Sequence, residues 1–183
     1  HPDEKTCIRL VHEAIERGVT LFDTAESYGY HANEILTGKA LKGYADRVFA
    51  TTKFGHKFVN GVQVRTEEDS TPANIRRVCE NSLRNLGVET LGIFYQHRID
   101  PGTPIEVVAE TVGELIKEGK INPELIIAVP VGFVNVVQSK ELILSLEDTP
   151  SIVARGRKGG SNIAACICNA LLYMIDNERD YWK

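Results

Sequence analysis

Apolar residues recur along the chain at intervals of three and four, then in short unbroken runs, and this alternation predicts helix and strand in turn. Residues 4–17 carry Cys7, Leu10, Val11, Ala14 and Ile15 at helical spacing, with Gly18 as the stop. Val19, Thr20, Leu21 and Phe22 predict a first strand ending at Asp23, and a helix over 33–42 follows with Ile35, Leu36 and Leu41. A second strand is expected over 47–53, and the polar stretch from Gly55 to Ser70 suits a hairpin turning at Asn60 and Gly61. Thr71 and Pro72 read as cap and first helical residue of a helix running to Gly87. A third strand, 91–97, precedes a helix that Thr103 and Pro104 start by the same device and Gly119 ends. Residues 125–129 are apolar on both faces, as in a central parallel strand. A helix over about 135–146, a strand over 151–155 and a last helix over 161–176 complete the pattern.

Five strands and six helices in alternation predict an α/β fold: an open five-stranded parallel sheet with helices on both faces, a three-layer, flavodoxin-like arrangement. In sequential strand order, right-handed crossovers place the connecting helices on one face and leave the first and last helices to cover the other. The last helix carries Ile163, Ala164, Ala165, Cys166, Ile167, Ala170, Leu171, Leu172 and Met174, apolar on more than one side, and is expected to be deeply packed. A rival order sets strand one between strands two and three. A dimer closing two half-barrels is a third arrangement, since exposed apolar sheet drives association.

Composition narrows the function classes. The 183 residues are 43% hydrophobic and 25% charged, too apolar for disorder. A formal net charge of −4 argues against non-specific nucleic-acid binding. No apolar run of about 18 residues and no secretory leader is present, which predicts a soluble, cytoplasmic protein without a membrane partner. No partner is required; monomer and homodimer are both expected states. The chain opens at His1 without an initiator Met, which points to processing or a longer parent. At 183 residues it is short for an eight-stranded α/β barrel, which takes about 250. Cys7, Cys79 and Cys166 fall on apolar helix stripes and are expected to be buried thiols. Cys166-x-Cys168 lacks the two-residue spacer of zinc and redox motifs and has no His nearby, so no metal site is expected.

Candidate chemistry sits at predicted strand ends, where parallel α/β folds build their sites. Asp23 ends strand one, Lys53 strand two and His97 strand three, and Tyr28 lies in the loop that strand one feeds. Any one of them alone suits a solvated strand terminus. Together they supply a phenol to donate a proton, an ammonium to ease its loss, a carboxylate to pair with the ammonium and an imidazole to orient a carbonyl. That combination suits carbonyl reduction.

The motifs Asp23-Thr24-Ala25-Glu26-Ser27-Tyr28-Gly29, Asn33-Glu34, Gly38, Thr52-Lys53-Phe54-Gly55 and Tyr95-Gln96-His97-Arg98-Ile99-Asp100 closely resemble the aldo-keto reductase family over residues 3–121. The resemblance implies an eight-stranded α/β barrel, a catalytic tetrad of Asp23, Tyr28, Lys53 and His97 with Tyr28 as proton donor, and NADPH as hydride source. It stops after the fourth strand-helix unit, before the loops that hold the cofactor phosphates in that family.

Residues 123–175 resemble another family. Pro130-Val131-Gly132-Phe133-Val134-Asn135, Ser139-Lys140-Glu141, Arg155-Gly156-Arg157-Lys158-Gly159-Gly160-Ser161-Asn162 and Asn169-Ala170-Leu171-Leu172 are similar to precorrin-8X methylmutase, a cobalamin-pathway isomerase with a flavodoxin-like fold. The catalytic histidine of that family lies in an N-terminal part that nothing here resembles. Two families meeting near residues 121–123, within one domain of segments 1–121 and 122–183, imply an engineered chimera. It is expected to have no evolved activity and no cofactor, with a vestigial, inactive tetrad. Residual NADPH-dependent carbonyl reduction is one alternative. The other is small-anion or corrin-carboxylate binding at Arg155, Arg157, Lys158, Gly159, Gly160 and Ser161, a basic, Gly-rich loop before a helix.

Overall fold

The computed structural model describes residues 3–131, 136–145 and 149–175. These divide into two compact units, residues 1–122 and 123–183. The predicted residues 132–135, 146–148 and 176 lie outside the described ones.

The first unit begins with α1 (Glu4–Glu16), which Asp3 caps by accepting the Thr6 N–H at 3.0 Å, and Gly18 at φ 92° ends it. β1 (Leu21–Asp23), α2 (Ala32–Leu41) and β2 (Phe49–Phe54) follow. β3 (His56–Val59) and β4 (Val62–Glu68) form the expected antiparallel hairpin. Both turn residues, Asn60 (φ 51°) and Gly61 (φ 79°), take the left-handed conformation that a two-residue hairpin requires. α3 (Pro72–Leu86) has the predicted Thr71 cap, Pro72 in its first turn and a left-handed Gly87 behind it. β5 (Ile93–Gln96) and α4 (Ile105–Lys117) complete the unit. Thr103 does not cap α4; its hydroxyl donates to Asp100 at 2.7 Å, and Pro104 occupies the cap position without a side-chain bond.

β1, β2 and β5 form a parallel sheet in the order β1-β2-β5, pairing Asp23 with Thr51 and Lys53 with Tyr95. The second predicted strand is therefore central, which excludes the rival order with strand one in the middle. α3 packs on β2, with α2 and α4 beside it. Phe54, Ile75, Val78, Cys79, Leu86, Leu91, Val108, Leu115 and Ile121 make the core. A polar strut runs through it: the fully buried Glu34 carboxylate on α2 accepts from Thr52 on β2 (2.7 Å) and from Ser82 (2.6 Å) and Asn85 (3.0 Å) on α3. Burial pushes the Cys79 thiol up to about 11, leaving it an inert apolar filler.

The second unit contains β6 (Ile126–Ala128), α5 (Val136–Leu144), β7 (Ser151–Val153) and α6 (Ser161–Ile175). β6 and β7 pair in parallel, α5 packs on both, and α6 meets β6. Among the described residues the strands thus hydrogen-bond in groups of three, two and two, and the five strands expected in one sheet fall into the β1-β2-β5 and β6-β7 ladders. The expected deep packing of the last helix is overturned: α6 has no buried residue, and Leu172, Met174 and Ile175 are exposed. Its apolar residues are spread around the helix, so the short β6–β7 pair cannot cover them. Cys166 and Cys168 are exposed with it, while Cys7 is half-buried and Cys79 is the buried thiol. No helix among the described residues is long and apolar enough to cross a membrane, and none of their His, Cys, Asp and Glu side chains form a metal-binding group.

Candidate functional site

The parallel ladder carries three of the four predicted chemical residues to the same end of one sheet. It extends by a Thr24 N–H bond to the Thr51 carbonyl at 2.9 Å and a His97 N–H bond to the Phe54 carbonyl at 2.7 Å, so the backbone around both strand ends is fixed. Side-chain alternation then puts Asp23, Thr51 and Lys53 on one face.

Lys53 is the hub. Its Nζ donates to Asp23 Oδ2 at 2.6 Å, to the Thr24 carbonyl at 2.8 Å and to the Tyr28 hydroxyl at 3.3 Å. Thr51 donates to the other Asp23 oxygen at 2.6 Å. Burial raises the proton affinity of the Asp23 carboxyl, but the bonds from Lys53 and Thr51 and the Lys53 charge outweigh it and hold the group below its ordinary pKa. The Tyr28 ring stands edge-on to His97, centroids 5.9 Å apart at 85°. The His97 pKa is lowered, first by burial and then by the charges of His56, Lys53 and Arg98, which Asp23 opposes only in part. The four sequence-predicted residues thus converge on one place.

Two neighbours escaped the sequence reading. His56, the first residue of the hairpin, lies with its ring centroid 4.6 Å from that of His97, and its Nδ1 bonds Glu68 on the opposite strand at 2.7 Å. Glu26 is buried, with one oxygen accepting from Arg77 at 2.7 Å and the other without a partner. The polar hairpin stretch was visible in the sequence, but its fold back towards β5 was not.

The loop predicted to bind an anion is built differently from expectation. Lys140 on α5, fully buried, donates its Nζ to the carbonyls of Gly156 (2.8 Å) and Lys158 (2.7 Å). The Gly160 N–H donates to the Val129 carbonyl at 2.7 Å, and a Cβ on Gly159 would lie 2.2 Å from the Pro130 carbonyl oxygen. Arg155 is exposed and lies 3.7 Å from Glu141. Arg157 and Lys158 lie between Gly156 and Gly159 in the same loop, and Ser161 begins α6.

Parallel strands that feed helices, with a lysine-centred phenol, carboxylate and imidazole at their ends, define residues 3–122 as a parallel α/β unit with a polar cluster at its strand ends. Comparison with known proteins makes this specific. Residues 1–123 match the aldo/keto reductase family, and the chain belongs to it. Residues 106–174 match precorrin-8X methylmutase. The glycerol dehydrogenase of Gluconobacter oxydans is similar at 34% identity and a TM-score of 0.59, over 66% of this chain and 38% of its own. An aldo-keto reductase of Klebsiella pneumoniae, solved with NADPH, is 30% identical at a TM-score of 0.52, over 66% of this chain and 39% of its own. An aldo-keto reductase of Bacillus halodurans in its holo form shares the fold, with a TM-score of 0.61 over 84% of this chain and 58% of its own at 24% identity. The chain therefore spans about two fifths of the length of the Gluconobacter and Klebsiella enzymes. The methylmutase match starts at 106, inside α4, earlier than the junction expected from the motifs, so the two matches share that helix.

Proposed function

We propose that the chain is an engineered chimera of two α/β enzymes without an evolved activity of its own, retaining a reductase proton-donor group without the means to use NADPH. The observation that carries this reading is the handover across residues 106–123: the reductase match ends at 123, and the residues that follow match the methylmutase in place of the later reductase strands. The donor half of the chemistry is supported by geometry. Tyr28 can protonate a carbonyl oxygen, Lys53 stabilises the phenolate left behind, Asp23 holds Lys53, and His97 orients the carbonyl. NADPH, when bound, supplies the hydride in this family.

The reading without NADPH is supported by the reductase match ending at residue 123. In the Gly-rich loop before α6 the Gly160 N–H donates to the Val129 carbonyl, and the Gly156 and Lys158 carbonyls accept from the buried Lys140. Exposure of the sheet face points the same way: Phe49, which pairs with Leu21 two rows below Asp23, is 66% exposed. Hydride transfer needs a water-excluded site.

The test is titration of the intact chain with NADPH, followed by NADPH oxidation with a simple aldehyde and NADP⁺ reduction with glycerol, the substrate class named for the Gluconobacter relative. No saturable binding and no turnover above buffer are expected. Turnover that Tyr28→Phe abolishes overturns the reading and favours the second one, residual carbonyl reduction, which the Lys53–Tyr28 hydrogen bond supports. Anion or corrin-carboxylate binding is the third reading, and it rests on the Arg157 and Lys158 side chains.

A further inference from the structure

His97 carries two unusual features. Its Nδ1 is buried without a hydrogen-bond partner, and a second imidazole, His56, lies against it at 4.6 Å and 55°. A bare ring nitrogen tolerates such a place as an unprotonated acceptor. A protonated one does not, because charging the ring would put an N–H where nothing accepts it. The geometry therefore assigns His97 the tautomer with its proton on Nε2.

His56 is not an incidental neighbour. It is mostly buried at the start of β3, and Glu68, directly across the hairpin in register with it, receives its Nδ1–H. That bond fixes the His56 ring. The groups facing His97 are thus His56 from the hairpin, Tyr28 and Asp23 from β1 and its loop, Lys53 from β2 and Arg98 from its own loop.

We propose that His56, braced by Glu68, is a positioning residue for His97, setting both the tilt of that ring against Tyr28 and the charge it carries. A neutral His97 with its proton on Nε2 can donate to a carbonyl oxygen without competing with Tyr28 as the acid. The inference rests on the reading of Asp23, Tyr28, Lys53 and His97 as a retained reductase-type group, and it extends that group to the hairpin. It needs neither cofactor nor turnover for its test.

The experiment is a pH titration of the histidine ring signals of the full chain by NMR, for the unsubstituted sequence and for His56→Gln and His56→Lys. His97 is expected as the Nε2–H tautomer near pH 7, titrating below the ordinary histidine range. His56→Gln raises its proton affinity about fivefold, the effect of one unit charge at this spacing in water-like surroundings. His56→Lys, which keeps a positive charge, leaves it low. A midpoint unmoved in His56→Gln, or raised equally in His56→Lys, overturns the proposal. Should both variants fail to fold, the unsubstituted chain still decides: coupled rings give His97 a curve broader than a single site, and two independent single-site curves overturn the proposal. Turnover with NADPH would refute the chain's inactivity and leave this titration unchanged, so the two readings fail separately.

Discussion

Asp100 holds three donors at once: the Ser70 N–H at 2.8 Å, the Gly102 N–H at 2.8 Å and the Thr103 hydroxyl at 2.7 Å. The Ser70 N–H bond is the main cause of a carboxyl pKa held below its ordinary value, and the Thr103 and Gly102 bonds add to it against burial. A carboxyl with a lowered folded pKa adds its full stabilisation above the ordinary carboxylate range and loses it as pH falls through the lowered value. Asp100→Ala leaves the buried Ser70 N–H without a partner, and a loss of about 2–3 kcal/mol is expected in urea unfolding at pH 7. The difference from the unsubstituted chain should shrink as pH falls through the lowered Asp100 value; an equal loss at all pH values would mean that packing, not charge, is responsible. Residue chemistry was partly legible beforehand. Asp23, Tyr28, Lys53 and His97 stood out because strand ends are where reactive groups collect. His56 did not, since only the hairpin's fold-back brings it to His97, and no local spacing encodes that.

Elements with local signals match their expected limits. Thr71-Pro72 and Gly87 delimit α3, and Asn60-Gly61 turns the hairpin, because cap and turn geometry depend on the residues at those positions alone. Thr103-Pro104 carried the same signal and failed, because Asp100 competes for the Thr103 hydroxyl. Gly38 shows a constraint invisible to periodicity. A Cβ there would lie 2.3 Å from the Asn85 carbonyl oxygen and 2.8 Å from Leu86 Cα, so α2 and α3 meet backbone to backbone. Alanine favours a helix by about 1 kcal/mol over glycine, yet Gly38→Ala is expected to destabilise by about 1–3 kcal/mol through forced separation of the two helices. A raised urea midpoint for Gly38→Ala would show that the helices part at no cost.

At the scale of the molecule, the alternation of helix and strand was readable throughout, but strand partnership was not. An apolar run such as 125–129 specifies a strand without naming its neighbour, and the five strands expected in one sheet fall into two ladders, β1-β2-β5 and β6-β7. Burial follows the same division. The cluster around Ile75, Val78 and Leu115 lies in the first unit, whereas α6 has no buried residue. Hydrogen exchange should therefore protect amides of α3 and β2 most and those of α6 least. Protection of α6 equal to that of α3 would show that its apolar residues are covered in solution.

Helix α4 offers a lesson about where chains can be joined. Val108, Thr111 and Leu115 are its buried side chains, and two family patterns accept the same stretch. A crossover placed there leaves the inward stripe unbroken, since each parent asks the helix only for an apolar face of similar width. Splices inside such shared helices should survive where splices inside strands do not, because a strand must also keep its register with a neighbour.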